Sequence, residues 1–305
     1  RVRQLLAQDP DPSELARAPV DAGRFKVQLQ PVYVASIQGH SEVVNVLLDH
    51  QPASFLADAF SLACASASSS RARDDLLRLL KDCPSLLGAL CPPSHPLAAV
   101  GMAGCSLAGM AAAFNGADVA KQLARLGARY DLFVAVLADD MEWLAEPRNA
   151  RAWRQDLNQY FPRWAESART RINGLTPLMA AAQRCNVRMV RFLIGAGADI
   201  FRKRYGRAGD WERARAKEME STAINYAQIY DHLQDQGFPI IRCLLDRFQA
   251  LRSMPEADRP FTVPAAWDGS IRESCAEWLD GTHPAARELL DDFELGIYEP
   301  GGEGG

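Results

Sequence analysis

The stretch from 173 to 200, NGLTPLMAAAQRCNVRMVRFLIGAGADI, constrains the fold more than any other part of the chain. Gly174 supplies a turn, Thr176 can cap a helix through its hydroxyl, and Pro177 stands at the first helical position, where its missing N–H is harmless. Leu178, Ala181 and Ala182 then recur at helical spacing, and the alanines let a neighbouring helix approach closely. After a break at Cys185 and Asn186, a second apolar face follows in Val187, Val190, Phe192, Leu193 and Ile194, and Gly197 ends it as a left-handed cap. Two short antiparallel helices are expected. Neither can bury its apolar face alone, so such a pair needs neighbours to stack on.

This passage resembles an ankyrin repeat in its Gly, Thr-Pro-Leu, Ala-Ala, Val, paired aliphatic and Gly-Ala-Asp elements. It departs from that pattern at Met179, where the family has a histidine, and at Cys185, where it has a glycine; the consequence expected is confined to the loops. The resemblance implies an all-α helical-repeat solenoid that binds other proteins and does no catalysis.

Looser copies run along the chain. In PVYVASIQGHSEVVNVLLDH (31–50), Pro31 takes the helix start, Ala35 and Ser36 the small pair, Gly39 the turn, and Val43, Val44, Leu47 and Leu48 the second face, with Tyr33 in place of the histidine. Residues 58–80 repeat the pattern with ASASSSRARD expected to lengthen the inter-helix turn. Residues 110–130, 135–144 and 222–245 do so again, 1–7 reads as the second helix of a unit, and the region from Pro264 to Leu290 as a terminal pair. About seven irregular helix pairs are expected, forming one domain over 1–300 with a disordered tail at 301–305. Segments 148–171 and 201–219 do not fit the repeat and read as insertions.

Composition narrows the function. With 48% hydrophobic residues in 305, the chain can bury a large core, and a net charge of −4 argues against a protein that coats nucleic acid. Seven cysteines, an odd number, with several on apparent core faces, fit a reducing, cytoplasmic setting, or the cytosol of a host cell if the protein is an effector. The uncharged run from Gly88 to Ala117 reads as a buried helix pair because Pro92, Pro93 and Pro96 and many Ala and Gly residues suit a membrane span poorly. Cys83, Cys91, His95 and Cys105 are zinc-ligand types without the spacing of paired knuckles, so no metal is expected. No signature of a catalytic triad, a carboxylate pair or a phosphate loop stands out, and neither catalytic residues nor cofactors are expected.

The insertions carry the functional signal. Segment 148–171 has six arginines against two carboxylates, and 202–217 seven basic groups against two, in a chain that is acidic overall. Trp153, Tyr160, Phe161, Trp164, Tyr205 and Trp211 are interleaved with that charge, and arginine with aromatics is the composition of interface hot spots. Each insertion follows the second helix of a unit and precedes the next, which in an ankyrin-like stack is where finger loops lie. The expected partner-binding residues are Trp153, Arg154, Trp164, Arg202, Lys203, Arg204, Tyr205, Arg207 and Trp211. The expected partner is a protein with an acidic surface, bound by a monomer, with neither nucleic acid nor membrane. The bland alternative for 148–171 is an extra amphipathic helix whose tryptophans pack inward. A competing role is a substrate-recruiting domain of a larger enzyme or bacterial effector whose catalytic domain lies outside this chain. The segment 287–303 is opposite in sign, with six carboxylates against Arg287, and reads as a solvated cap.

Overall fold

The computed structural model describes residues 20–21, 28–29, 31–37, 40–49, 59–93, 95, 97–98, 101–162, 174–204, 222–227 and 237–263. The helix expected at 1–7, the terminal pair from 264 to 290 and the acidic tail lie outside them. The described residues are predominantly α-helical. Their one named sheet is a two-residue antiparallel pair, Val20–Asp21 with Gln28–Leu29, in which Val20 faces Leu29.

The chain divides into two compact units, residues 1–156 with 161–173 and residues 157–160 with 174–305. In the first, helix pairs follow one another: α1 (Pro31–Ile37) with α2 (Ser41–Asp49), α3 (Ala59–Ser66) with α4 (Ser70–Asp82), α5 (Leu107–Ala113) with α6 (Ala117–Arg125), and α7 (Leu132–Ala138) with α8 (Met141–Ala145). The first helices pack in series, α1 on α3, α3 on α5 and α5 on α7. Every residue of α3, α5 and α7 is buried, so these helices are apolar all round, whereas α4 and α6 bury one stripe, Ala72, Leu76 and Leu80 or Val119, Ala120 and Leu123. A further helix, α9 (Ala150–Asp156), packs on α7 and α8. In the second unit, α10 (Pro177–Gln183) pairs with α11 (Val187–Gly195), and α11 packs on α12 (Gly237–Ser253).

The repeats are visible in the backbone hydrogen bonds. At four of the inter-helix turns an N–H reaches back five residues to an alanine carbonyl: His40 to Ala35 at 2.8 Å, Gly116 to Ala111 at 2.8 Å, Asp140 to Ala135 at 2.9 Å and Asn186 to Ala181 at 3.0 Å. In α5–α6 and α10–α11 the correspondence continues at a constant offset. Ser106 and Thr176 cap the first helices by accepting from Gly109 and Met179. The second helices close with Ala128 N–H to Leu123 O and Ala198 N–H to Leu193 O, both 2.9 Å, across Gly127 and Gly197, whose φ of 92° and 98° only glycine adopts cheaply.

Positive φ at the turn before the second helix explains why glycine is favoured there and how other residues replace it. Asn115, Asp139 and Cys185 occupy that position at φ 70°, 50° and 54°. Cys185 therefore keeps the turn geometry in spite of its side chain. Asn115 is exposed, so its substitutions report on the backbone alone. Asn115→Val should cost about 1–2 kcal/mol, the penalty of a branched side chain in the left-handed region, while Asn115→Gly should not destabilise. Equal denaturation midpoints for the two variants would refute this.

One expectation is corrected. The turn between α3 and α4 is not lengthened: it comprises residues 67–69, and Ser70 to Asp74 form the start of α4. Ser69 caps that helix by accepting from Ala72 N–H at 3.2 Å. A serine-rich run ending in a capping serine starts a helix as readily as it makes a loop.

Candidate functional site

The uncharged run from Gly88 to Ala117 is not the expected helix pair among the described residues: α5 is its one described α-helix before Ala117, and the described residues of the proline-rich part ahead of α5 are irregular. Leu90 bridges Ser106, Cys91 N–H donates to Cys105 O at 2.8 Å, and both thiols are buried. Burial, with Cys91 alongside, pushes the Cys105 thiol well up, so it is held protonated. His95 turns its Nδ1 to accept the Leu97 N–H at 3.1 Å, and Cys83 is exposed at the end of α4. Among the described residues no three His, Cys, Asp or Glu side chains gather as a metal site. Among the described residues no helix is long and apolar enough to cross a membrane.

The connection into α7 and α8 holds partly buried acids. Asp131 caps α7 by accepting from Val134 N–H at 3.0 Å. Tyr130 donates its hydroxyl to Asp140 Oδ2 at 3.1 Å, and Asp140 Oδ1 accepts the Trp143 N–H and caps α8. Burial, then the Asp140 carboxylate, holds the Tyr130 hydroxyl protonated. Burial also raises Asp131 above the usual carboxylate range; Asp156 adds to the rise, while the Val134 N–H and Arg129 oppose it. A raised folded-state value means that the folded protein binds the proton more tightly than the unfolded chain does. The stability this gives is full below pH 3.8 and is lost as pH rises through the raised value. Asp131→Asn keeps a capping oxygen without the buried charge, so it should flatten that loss and be at least as stable as the parent at neutral pH, whereas Asp131→Ala should lose about 1 kcal/mol of capping at all pH values. Parallel pH profiles for parent and Asn variant would contradict this account.

The basic insertions divide between the two units. In the first, Trp153 is only 5% exposed, and its indole N–H donates to Leu144 O at 3.2 Å. The side chain is thus part of the packing of α9 on α7 and α8, as the amphipathic-helix alternative holds. Arg154 is exposed with its guanidinium over the Trp153 ring at 5.6 Å, Arg148 is ion-paired with Glu146, and Arg151 is exposed. Phe161 is buried edge-on to Phe133 at 4.9 Å. Trp164 lies outside the described residues.

In the second unit, residues 157–160 meet the start of the other insertion. Asn158 Oδ1 accepts the Asp199 N–H at 2.7 Å, and the Tyr160 hydroxyl donates to Lys203 O at 3.0 Å. Asp199 in turn accepts the Phe201 N–H at 2.9 Å. Arg202 lays its guanidinium over the Tyr160 ring at 4.8 Å, and its buried Nε has no hydrogen-bond partner among the described residues. Lys203 is exposed and Arg204 half-buried. Phe201, buried, packs edge-on against Phe248 of α12 at 6.0 Å and Phe261 at 5.8 Å. Tyr205, Arg207 and Trp211 lie outside the described residues.

Tyr160 carried a sequence signal, as an aromatic among arginines. Asn158 carried none, since a lone asparagine in an insertion is indistinguishable from any loop polar residue.

This geometry follows directly on the helix pair α10–α11. Residues 173–204, that pair together with Arg202, Lys203 and Arg204, match the ankyrin repeat family model. No curated protein matches the chain. An ankyrin repeat is typically a non-catalytic module for protein–protein interaction, and the capping hydroxyl, the alanine-carbonyl turn bond and the glycine closure of 177–198 recur in 107–128. Residues 173–204, built around α10–α11, are thus similar to an ankyrin repeat, and that one repeat is what the family model detects.

Proposed function

We propose that the protein binds an acidic protein partner through the basic segment that begins at Arg202, with Lys203, Arg204 and Arg207 adding charge and Tyr160 supporting it. The observation that carries this reading is the Arg202 guanidinium placed over the Tyr160 ring at 4.8 Å, with its Nε lacking an acceptor among the described residues. A planar, oriented guanidinium receives a carboxylate through two parallel hydrogen bonds, and its ordering cost is largely met before the partner arrives. Arg154, exposed over Trp153, is a further contact of the same chemistry in the other unit, with Trp153 supporting it from beneath; Trp164, Tyr205 and Trp211 belong to the same proposal as aromatic anchors.

Replacing Arg202, Lys203, Arg204 and Arg207 together with alanine should leave the helical circular dichroism intact. It should weaken capture of an acidic protein ligand about tenfold or more, because each 1.4 kcal/mol lost is a factor of ten and four charges are removed. The loss should shrink as salt is raised. Unchanged capture at low salt would remove the segment from the binding surface. Equal loss for a duplex DNA probe and for an acidic protein would turn the reading towards nucleic acid.

A further inference from the structure

The connection between α4 and α5 returns on itself beside two thiols that the proposed binding surface does not use. Leu90 pairs antiparallel with Ser106. Next to that bridge Cys91 is held by two backbone hydrogen bonds, its N–H donating to Cys105 O and its carbonyl accepting the Gly104 N–H, both at 2.8 Å. Gly104 and Cys105 thus oppose the single Cys91, the pairing of a β-bulge whose first position takes left-handed backbone. Gly104 supplies that backbone at φ 78°, and the Cys105 N–H closes the turn on Met102 O at 3.1 Å. Main-chain bonds therefore set the two cysteines against each other.

Hydrogen-bonded residues opposed in an antiparallel pair lie about 5.5 Å apart at Cα, inside the roughly 4.4–6.8 Å that a disulfide spans. Both thiols are free and buried. Cys91 contributes to the rise of the Cys105 thiol, so the two groups lie close enough to interact. Pro92 and Pro93 on one side, and Ala103 and Gly104 on the other, are exposed, so only a thin, irregular part of the chain covers the pair. Such a segment opens locally without unfolding the helices it joins. Burial holds the Cys105 thiol protonated while the connection is closed, so oxidation waits on that opening.

We propose that Cys91 and Cys105 are a redox-responsive pair, which a small disulfide such as oxidised glutathione converts to an intrachain disulfide that locks the two ends of this connection together. One thiol gives up its proton and attacks a sulfur of the glutathione disulfide, releasing one glutathione thiolate. The second cysteine, likewise deprotonated, attacks the protein sulfur of the mixed disulfide and releases the other. Two protein thiols are oxidised, the glutathione disulfide is reduced to two glutathiones, and the two protons pass to them. The bond closes residues 91–105 into a ring directly ahead of Ser106, the cap of α5.

The test uses the full chain with Cys83→Ser, which leaves Cys91 and Cys105 as the two cysteines of the tryptic peptide 82–121. The folded protein is incubated with oxidised glutathione, quenched in acid, unfolded, alkylated with N-ethylmaleimide and digested. Mass spectrometry should find most of this peptide unalkylated and lighter by two hydrogen atoms, and dithiothreitol before alkylation should return it to the doubly alkylated mass. Cys91→Ala should leave Cys105 open to alkylation after the same treatment, and Cys105→Ala should do so for Cys91. A ring of about 15 residues should raise the thermal midpoint of the oxidised chain by about 5–10 °C, followed by circular dichroism, and that of either alanine variant by less than about 1 °C. A doubly alkylated peptide after oxidation, or one carrying glutathione or joined to another cysteine, would overturn the pair. An unchanged or lowered midpoint in a chain that carries the bond would overturn the lock.

Discussion

Trp153→Ala should lower the unfolding free energy of the first unit by about 3–5 kcal/mol, the range for deleting a large buried aromatic side chain. Trp153 is 5% exposed where α9 packs on α7 and α8. Truncation removes that packing and leaves the Leu144 carbonyl without its indole donor. Trp153→Phe separates the contributions: it keeps most of the apolar volume and should lose about 1 kcal/mol for the hydrogen bond, plus a smaller packing defect. Arg154 gives the contrast, since its guanidinium lies over the same ring but is exposed, and Arg154→Ala should change stability by under about 0.5 kcal/mol. Urea titration monitored by far-ultraviolet circular dichroism measures all three. A Trp153→Ala variant within about 1 kcal/mol of the parent would show that the indole is not part of the core and return it to the surface.

Leu193→Ala should cost about 2–5 kcal/mol in the second unit. Leu193 is fully buried on α11, which packs on both α10 and α12. Its counterpart Leu123 on α6 is equally buried, and the carbonyls of both accept the N–H that closes the helix. Leu123→Ala should therefore give a loss in the same range, but in the other unit. Hydrogen exchange distinguishes them: Leu193→Ala should speed exchange in 177–195 and 237–253, and Leu123→Ala in 107–125 and 132–138. Acceleration in the same peptides for both variants would show that the two leucines do not serve separate cores. A loss below about 1 kcal/mol for either would mean that its surroundings collapse to fill the gap.

The helix pair at 177–195 was legible because each of its instructions is local. Thr176 caps, Pro177 starts, Ala181 and Ala182 admit a neighbour and Gly197 stops, and each acts within about five residues. Where those instructions weaken, so did the reading. The serine run at 65–70 suits a loop or a helix start equally well, and the tertiary packing of α4 on α3 chose the helix. Cys185 stands where the resembled pattern has a glycine, but its own intrinsic preference opposes a left-handed turn. The paired helices and the Asn186 to Ala181 hydrogen bond impose that conformation.

The candidate site shows the same division more sharply. The clustering of arginine and aromatic residues in 148–171 and 202–217 is a property of the sequence alone, and it indicated both segments without reference to any fold. Which tryptophan packs inward and which arginine lies over an aromatic ring are not properties of composition. Trp153 is buried because α9 lies against α7 and α8, and Arg202 is oriented because Tyr160, 42 positions earlier, donates its hydroxyl to Lys203 O and offers its ring. Repeating local signals specified the helix pairs, because backbone capping, turn geometry and apolar periodicity act over a few residues. The role of each aromatic and arginine waited on tertiary structure, because burial and stacking depend on neighbours that only folding brings into contact.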